Sequence, residues 1–254
     1  MVIRLKRLPA VFLGVVFILL GVIFLLYGLF GMKQGEKTLP LTHTPTKVSA
    51  PVRQIDPARP MIALTFDDGP YGPVTGRILD ALDAVGGRAT FFIVGSRVDG
   101  REETVKKIAA SGCELGNHTY DHVELRGLTK SQIEEQLLKT DQKIYEVTGQ
   151  HTTILRPPGG AYDATLYEVL QTPAVLWTVD TMDWNHQNKD ITVRRVLEHA
   201  EDGDIVLMHD LFTPTADAAV ELIPALTERG FQLVTVSELL AYREQVNGVL
   251  QNNG

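Results

Sequence analysis

The chain has 254 residues, of which 44% are hydrophobic and 22% charged, so it can bury one sizeable core and is not a wholly disordered protein. A formal net charge of −7 gives no basic footprint, which argues against a nucleic-acid partner. Cys113 is the only cysteine, and this excludes an intrachain disulfide.

The amino-terminal segment is predicted to anchor the chain in a membrane. No residue from Leu8 to Phe30 is charged, and as a helix this run spans roughly 35 Å, enough to cross a bilayer core. We place the transmembrane helix at residues 8–32, after a cytoplasmic tail at residues 1–7 whose basic residues fit the positive-inside rule. A cleaved signal peptide is the alternative, but its apolar region is shorter and ends at a small-residue cleavage site. The rest of the chain is expected outside the cytoplasm.

The remaining chain divides by composition into a linker, a domain and a tail. Residues 33–59 are rich in Lys, Thr and Pro and lack apolar periodicity, which predicts an extended linker. From residue 60 to residue 245, short apolar runs alternate with amphipathic stretches, a pattern typical of βα units and a parallel sheet. We therefore predict an α/β domain, a distorted or incomplete (β/α) barrel of about seven strands. Residues 246–254 are predicted to be a frayed tail.

Polar residues follow the predicted strands, at the end where parallel barrels build active sites. Asp67 and Asp68 end the first strand, and two adjacent carboxylates repel each other unless one binds a cation or a proton. His118 and His122 are four residues apart, so a helical turn would put both rings on one face. Together with one aspartate they make a set of two histidines and one carboxylate, which predicts a divalent metal site.

Three further groups come after later strands. Arg156 precedes a rigid Pro-Pro-Gly-Gly turn and is suited to orienting a carboxylate through a bidentate pair. Asp183 lies beside Trp184, where an acid can steer an imidazole and an indole can form a pocket wall. His209 ends the apolar run DIVLMH. Taken singly, each group has an ordinary structural explanation: a turn, a surface arginine or a histidine at a strand end. Five such groups that all follow strands indicate one site.

The segments TFDDG, HTYDH, RPPGG, DTMDW and LMH resemble the five motifs of the polysaccharide deacetylases, carbohydrate esterases with a NodB-like domain. The resemblance covers about residues 60–245. It implies that Asp68, His118 and His122 bind one divalent metal ion; zinc suits the ligands, and Co²⁺, Ni²⁺ and Mn²⁺ are alternatives.

The resemblance also implies roles for the other motif residues. Asp67 is expected to be the general base, held by Arg156, and His209 the general acid, oriented and charged by Asp183. Leu207 and Trp184 are expected to line the pocket for the acetyl methyl group. Gly159 is expected to offer its N–H to the oxyanion, but the family commonly has an aromatic residue at this position, so an aromatic contact to the sugar is missing.

The expected function is metal-dependent hydrolysis of the acetamide of N-acetylated amino sugars in a cell-envelope polysaccharide. Peptidoglycan N-acetylglucosamine is the first choice, because a membrane anchor with a short linker keeps the domain near the inner layers of the wall. Alternatives are an acetyl esterase or deacetylase acting on chitin oligomers, xylan or an exopolysaccharide, and a catalytically silent glycan-binding protein. The expected location is the cell membrane, with one span and an extracellular catalytic domain, and the sequence does not specify an oligomeric state.

Overall fold

Six parallel strands form the centre of residues 54–243, the part of the chain that the computed structural model describes. The strands are β1 (Met61–Asp67), β2 (Thr90–Ile93), β3 (Glu114–Asn117), β4 (Val179–Asp180), β5 (Asp204–His209) and β6 (Gln232–Leu233). Their order is β3-β2-β1-β5-β4, and β6 pairs with the first residues of β1. Since β5 pairs along nearly all of β1 on one edge, β2 and β6 share its other edge.

Helices alternate with these strands, which confirms the predicted α/β fold. They are α1 (Gly72–Ala84), α2 (Glu102–Ala110), α3 (Lys130–Thr148), α4 (Ala164–Tyr167), α5 (Asp183–His186), α6 (Lys189–His199), α7 (Thr213–Glu228) and α8 (236–243). The segment Thr129-Lys130-Ser131-Gln132 has the sequence pattern of a capping box, and the long helix α3 begins with that cap. The Thr129 side chain accepts a bond from the Gln132 N–H, and the Gln132 side chain accepts one from the Thr129 N–H.

Isolated bridges close the path from β3 back to β5. Asn117 pairs with Leu155, and Leu155 with Ala174. The Thr178 N–H then donates to the Ile205 carbonyl at 2.9 Å, just before β4. The result is a distorted barrel with six regular strands in the described range, where the sequence predicted about seven. The segment around Leu155 forms a bridge only, because two prolines follow it almost at once and proline has no N–H for a ladder.

Side chains of β1 alternate between two apolar clusters. Ile62, Leu64 and Phe66 pack outward in the cluster that includes helices α1 and α7, whereas Met61 and Ala63 belong to an inner cluster. Successive side chains of a strand point to opposite faces, so the side chains of Thr65 and Asp67 continue the inner row. The alternation therefore places the Asp67 carboxylate at the mouth of the barrel, where the carboxyl ends of the strands lie.

Residues 54–59, predicted as the end of the linker, pack against the domain. The Asp56 N–H donates to Gln232 Oε1 at 2.8 Å, and the Tyr242 hydroxyl donates to the Pro57 carbonyl at 2.7 Å. The packed part therefore begins before residue 60. The predicted helix at residues 8–32 and tail at residues 246–254 lie outside the described residues. Within residues 54–243, no helix has the length and apolar character needed to cross a bilayer.

Candidate active site

Asp68, His118 and His122 converge at the mouth of the barrel. One donor atom from each lies within 4.8 Å of the other two. Asp68 Oδ1 is 2.8 Å from His122 Nε2 and 3.5 Å from His118 Nε2. His118 Nδ1 lies 2.7 Å from the Arg156 carbonyl, an acceptor for a proton on Nδ1, so Nε2 is the nitrogen available to a cation. The three side chains thus have the donor types and spacing of a divalent cation site.

The charge and burial of Asp68 fit a cation at this site. Within the described range, its Oδ1 atom is buried and makes no hydrogen bond that satisfies normal geometry, a state that buried polar atoms rarely adopt without a partner or an ion. Burial alone raises the pKa of Asp68, but the close approach and charge of the His118 and His122 rings outweigh it and hold that pKa well below its ordinary value. Two imidazoles and an ionised carboxylate suit zinc or a similar first-row metal.

The two histidines lie on a loop, so the predicted helical turn is wrong. Thr119 has φ 62° and His122 has φ 57°, both in the left-handed region. The rings are nevertheless close, with centroids 5.1 Å apart. Asn117 Oδ1 accepts a bond from the Thr119 N–H at 3.0 Å, and the Gly95 N–H donates to the Thr119 carbonyl at 3.0 Å. Hydrogen bonds to the Asn117 side chain and to the neighbouring turn therefore stand where a helix would have backbone hydrogen bonds within the segment.

Arg156 and Asp67 form a buried ion pair beside the histidines. Arg156 Nη1 donates to Asp67 Oδ1 at 2.8 Å and to Thr65 Oγ1 at 2.7 Å, and its Nη2 donates to the Leu176 carbonyl at 3.0 Å. The guanidinium carbon also lies 4.1 Å from the centroid of the Phe92 ring. The predicted bidentate pair is therefore not formed. One nitrogen holds one carboxylate oxygen, and Asp67 Oδ2 remains on the side of His118, 3.8 Å from its Nε2.

Asp183 holds His209 through both the ring and the backbone. Asp183 Oδ1 is 2.8 Å from His209 Nδ1, and Asp183 Oδ2 accepts bonds from the His209 N–H at 2.9 Å and the Thr215 hydroxyl at 2.6 Å. Burial alone lowers the pKa of His209, but the bond to Asp183 and the charges of Asp183, Asp67 and Asp68 raise that pKa to about 8. Burial likewise opposes ionisation of Asp183, yet its bonds to His209 and Thr215 leave its pKa below the ordinary value.

Strand register places Asp67 and His209 side by side. They are partners across β1 and β5, and Leu207 pairs with Thr65 one layer deeper. Leu207 is buried, as a pocket floor requires. Trp184 follows Asp183 on α5 and is 49% exposed. Gly159 is exposed, with φ 60°, and a Cβ atom there would meet only Glu124 Oε1, at 3.9 Å, so the space around this residue is open.

Asp210 is a buried carboxyl that sequence reasoning did not single out. It accepts a bond from the Thr75 hydroxyl, and its Oδ1 has no hydrogen-bond partner among the described residues. Gly69 makes room for it, because a Cβ atom on that residue would collide with the carboxyl group. Burial raises the pKa of Asp210 to about 7, with the charges of Asp68 and Asp67 adding to the effect against the Thr75 bond. Its only sequence signal is its place directly after His209, at the end of the run DIVLMH.

The positioning hydroxyls of Thr65 and Thr215 were also missed. Thr65 donates to the Val206 carbonyl at 2.6 Å while it accepts from Arg156, and so links the two central strands to the buried guanidinium. Threonines are common in strands and at helix starts, so no spacing rule distinguishes these two. Taken together, the site holds a cation-binding set, a carboxylate beside it and an imidazolium at the neighbouring strand end. Such groups suit hydrolysis of an amide or ester bond.

Comparison with known proteins gives a family match and several relatives. The family model described as polysaccharide deacetylase matches residues 54–174. Peptidoglycan-N-acetylmuramic acid deacetylase PdaC of Bacillus subtilis (strain 168) is 41% identical over 191 residues, 75% of this chain and 41% of that protein. Peptidoglycan-N-acetylglucosamine deacetylase PgdA of Listeria monocytogenes is 36% identical over 204 residues, 80% of this chain and 44% of that protein. The chain thus spans less than half the length of these two relatives.

Solved structures agree with this match. The structure of Bacillus subtilis PdaC superposes with a TM-score of 0.76 at 40% identity and covers 78% of this chain and 98% of that one. A family 4 acetyl xylan esterase from Clostridium thermocellum, in complex with a cobalt ion, gives a TM-score of 0.68 at 32% identity. It covers 71% of this chain and 90% of that one.

Proposed function

The chain belongs to the polysaccharide deacetylase family of carbon–nitrogen hydrolases, and we propose that it removes acetyl groups from the amino sugars of peptidoglycan. The observation that carries the proposal is the convergence of Asp68, His118 and His122, with Asp67 and His209 paired across β1 and β5 at the same mouth. Hydrolysis of an acetamide needs an activated water, an oxyanion site and a proton for the leaving amine.

Asp68, His118 and His122 are proposed to hold one divalent cation, Zn²⁺ by preference, with Co²⁺, Ni²⁺ or Mn²⁺ as alternatives. Such a cation, when bound, polarises the acetamide carbonyl and makes the attacking water more acidic. Asp67 accepts the proton of that water. Its Oδ1 is fixed by Arg156, so Oδ2 faces the reacting atoms on the side of His118.

His209 is proposed to protonate the departing amine. Its Nδ1 is held by Asp183, which leaves Nε2 as the proton-donating atom. In the metal-free chain the bond to Asp183 and the nearby carboxylate charges raise the pKa of His209 to about 8, which favours the protonated ring that a general acid needs at neutral pH. The N–H of Gly159, an exposed residue, is proposed to stabilise the oxyanion, with Leu207 and Trp184 bordering the acetyl methyl group.

The sugar is proposed to be N-acetylglucosamine, with N-acetylmuramic acid as the alternative. By their names, PgdA acts on the first sugar and PdaC on the second. Both relatives are peptidoglycan deacetylases, which supports peptidoglycan as the substrate of this chain. Because they are named for different sugars, an experiment must decide which sugar is deacetylated. We also propose that the apolar run at residues 8–32 anchors the chain in the cell membrane with its catalytic domain outside, because the run is long enough to span a bilayer, basic residues precede it, and an external domain would reach the wall.

The test is mass spectrometry of peptidoglycan fragments incubated with the purified full-length chain and zinc. We expect loss of one acetyl unit, and fragment ions will assign it to one of the two sugars. Acetylated xylan and chitin oligomers serve as competing substrates in parallel reactions.

Asp67→Asn and His209→Ala are the control variants, because each removes one proposed proton-transfer group, and such groups contribute about 10²–10⁴-fold. Release of acetate from xylan but not from peptidoglycan would overturn the substrate. Equal turnover by either variant would overturn the mechanism.

A further inference from the structure

A turn after β2 lies between the two loops that carry the cation-site residues. It consists of Val94 and the short 3₁₀ segment Gly95–Arg97. The Val94 N–H donates to the Gly69 carbonyl at 3.0 Å, next to Asp68. The following two N–H groups donate to the carbonyls of Thr119 at 3.0 Å and Tyr120 at 2.9 Å, within the histidine loop. The turn therefore joins both loops through their backbones.

Both loops have backbone conformations that need outside support. Asp68 has φ 73°, and Thr119 and His122 also lie in the left-handed region. Non-glycine residues there cost free energy and persist only when surrounding contacts fix them. The turn supplies such contacts and approaches closely, since a Cβ atom on Gly95 would lie 2.6 Å from the Tyr120 ring and 2.7 Å from Thr140 Oγ1.

Arg97 adds a side-chain contact to this arrangement. Its Nη1 atom donates to the carbonyl oxygen of Asp68, 29 residues earlier in the chain. We propose that Arg97 is a positioning residue for the cation site, which fixes the backbone of Asp68 so that its carboxylate meets the two imidazoles. The inference rests on the proposed metal site and adds to it a residue outside the five motifs.

Charge and position predict opposite effects of removing Arg97. The guanidinium is a positive charge beside a site for a positive ion, so its loss alone should tighten cation binding. If the hydrogen bond to the Asp68 carbonyl positions the ligand, its loss should weaken binding instead. Groups that orient metal ligands in this way typically contribute about 10–100-fold to metal affinity. The sign of the change therefore separates the two explanations.

The test uses Arg97→Met, which keeps the side-chain length and removes both the donor and the charge. Arg101→Met is the matched control. Arg101 lies four residues away and is exposed, and it bonds the Arg97 carbonyl but no cation-site residue. Dissociation constants for Zn²⁺ and Co²⁺ are measured on the purified full-length chains by competition with a chelator, together with the absorption spectrum of the Co²⁺ form. Thermal unfolding of the metal-free chains checks that each variant folds.

We expect Arg97→Met to weaken Co²⁺ and Zn²⁺ binding by about 10–100-fold and to change the Co²⁺ spectrum, while Arg101→Met binds as tightly as the unsubstituted chain or more tightly. Arg97→Lys keeps the charge but offers only a flexible point donor, so it should weaken binding by a smaller factor. That variant decides the question if Arg97→Met does not fold. Equal or tighter binding by the folded Arg97 variants would overturn the inference alone. Absence of stoichiometric binding by the unsubstituted chain would overturn the proposed metal site together with it.

Discussion

Replacing Asp183 by Asn tests whether this carboxylate charges and orients His209. With its pKa at about 8, His209 is protonated in about nine-tenths of metal-free molecules at pH 7. Without the Asp183 charge, burial is the largest single remaining influence and favours the neutral ring, so the pKa should fall from about 8. A fall to the ordinary value of 6.5 would lower the protonated fraction at pH 7 to about a quarter.

A larger effect comes from orientation. An asparagine NH₂ can donate to His209 Nδ1, which leaves a neutral ring whose Nε2 proton is a weak acid. The two effects together should lower kcat by about 10²–10³-fold, within the range that general acid catalysis contributes.

The assay combines acetate release against pH with NMR titration of the histidine rings. The titration is done on the metal-free full-length chain, because a nearby cation would itself lower the pKa of His209. Asp180→Asn is the control, since Asp180 bonds the Met182 N–H on the same segment and has no bond to His209. A His209 pKa that stays near 8 in the Asp183 variant, or an unchanged kcat, would refute the assignment.

Three other changes probe the buried groups and the cation site. Arg156→Met leaves Asp67 buried without its guanidinium partner, so we expect the free energy of unfolding in urea to fall by about 3–5 kcal/mol. An unchanged value would contradict a stabilising role for the buried ion pair. The pKa of Asp210 is raised from 3.8 to about 7, so the folded chain keeps a proton that the unfolded chain loses in this window, and stability falls as pH rises through it. The stability advantage of Asp210→Asn over the unsubstituted chain should therefore grow as pH rises from about 4 to 7, by up to about 4 kcal/mol in urea unfolding. A stability difference that does not change with pH would refute this. Chelation should abolish acetate release and leave the circular dichroism spectrum unchanged, because the apolar clusters hold the fold, and added zinc should restore activity; turnover that survives chelation would contradict the proposed cation.

Local sequence patterns were sufficient to predict the fold class, because parallel strands that are buried on both faces appear in the sequence as continuous apolar runs. All seven residues of β1 are buried, as its run of apolar residues predicts. The capping box at Thr129 likewise depends on residues only three apart, so its pattern is visible in the sequence. The segment near Leu155 was predicted as a strand but forms only a bridge, since its pairing depends on distant segments and on the prolines that follow.

The motif residues themselves could be found from sequence, because each follows an apolar run and parallel strands end at a common edge. Their backbone conformations could not. The histidine spacing looked helical, but contacts with Asn117 and the turn at Gly95 hold that loop in a left-handed conformation. The bond from Gly95 joins segments 24 residues apart, and such a bond leaves no periodic pattern in the sequence.

The sequence by itself determined an α/β parallel fold and the identity of the residues that gather at its mouth, because both follow from local apolar runs and the position of polar residues at their ends. Only the tertiary structure decided how those residues meet. It pairs Asp67 with His209 through strand register, limits Arg156 to one bond with Asp67, and sets Arg97 against the Asp68 carbonyl. The physical reason is that a strand pattern fixes which face a side chain takes, while the partner on that face comes from a segment far away in the chain.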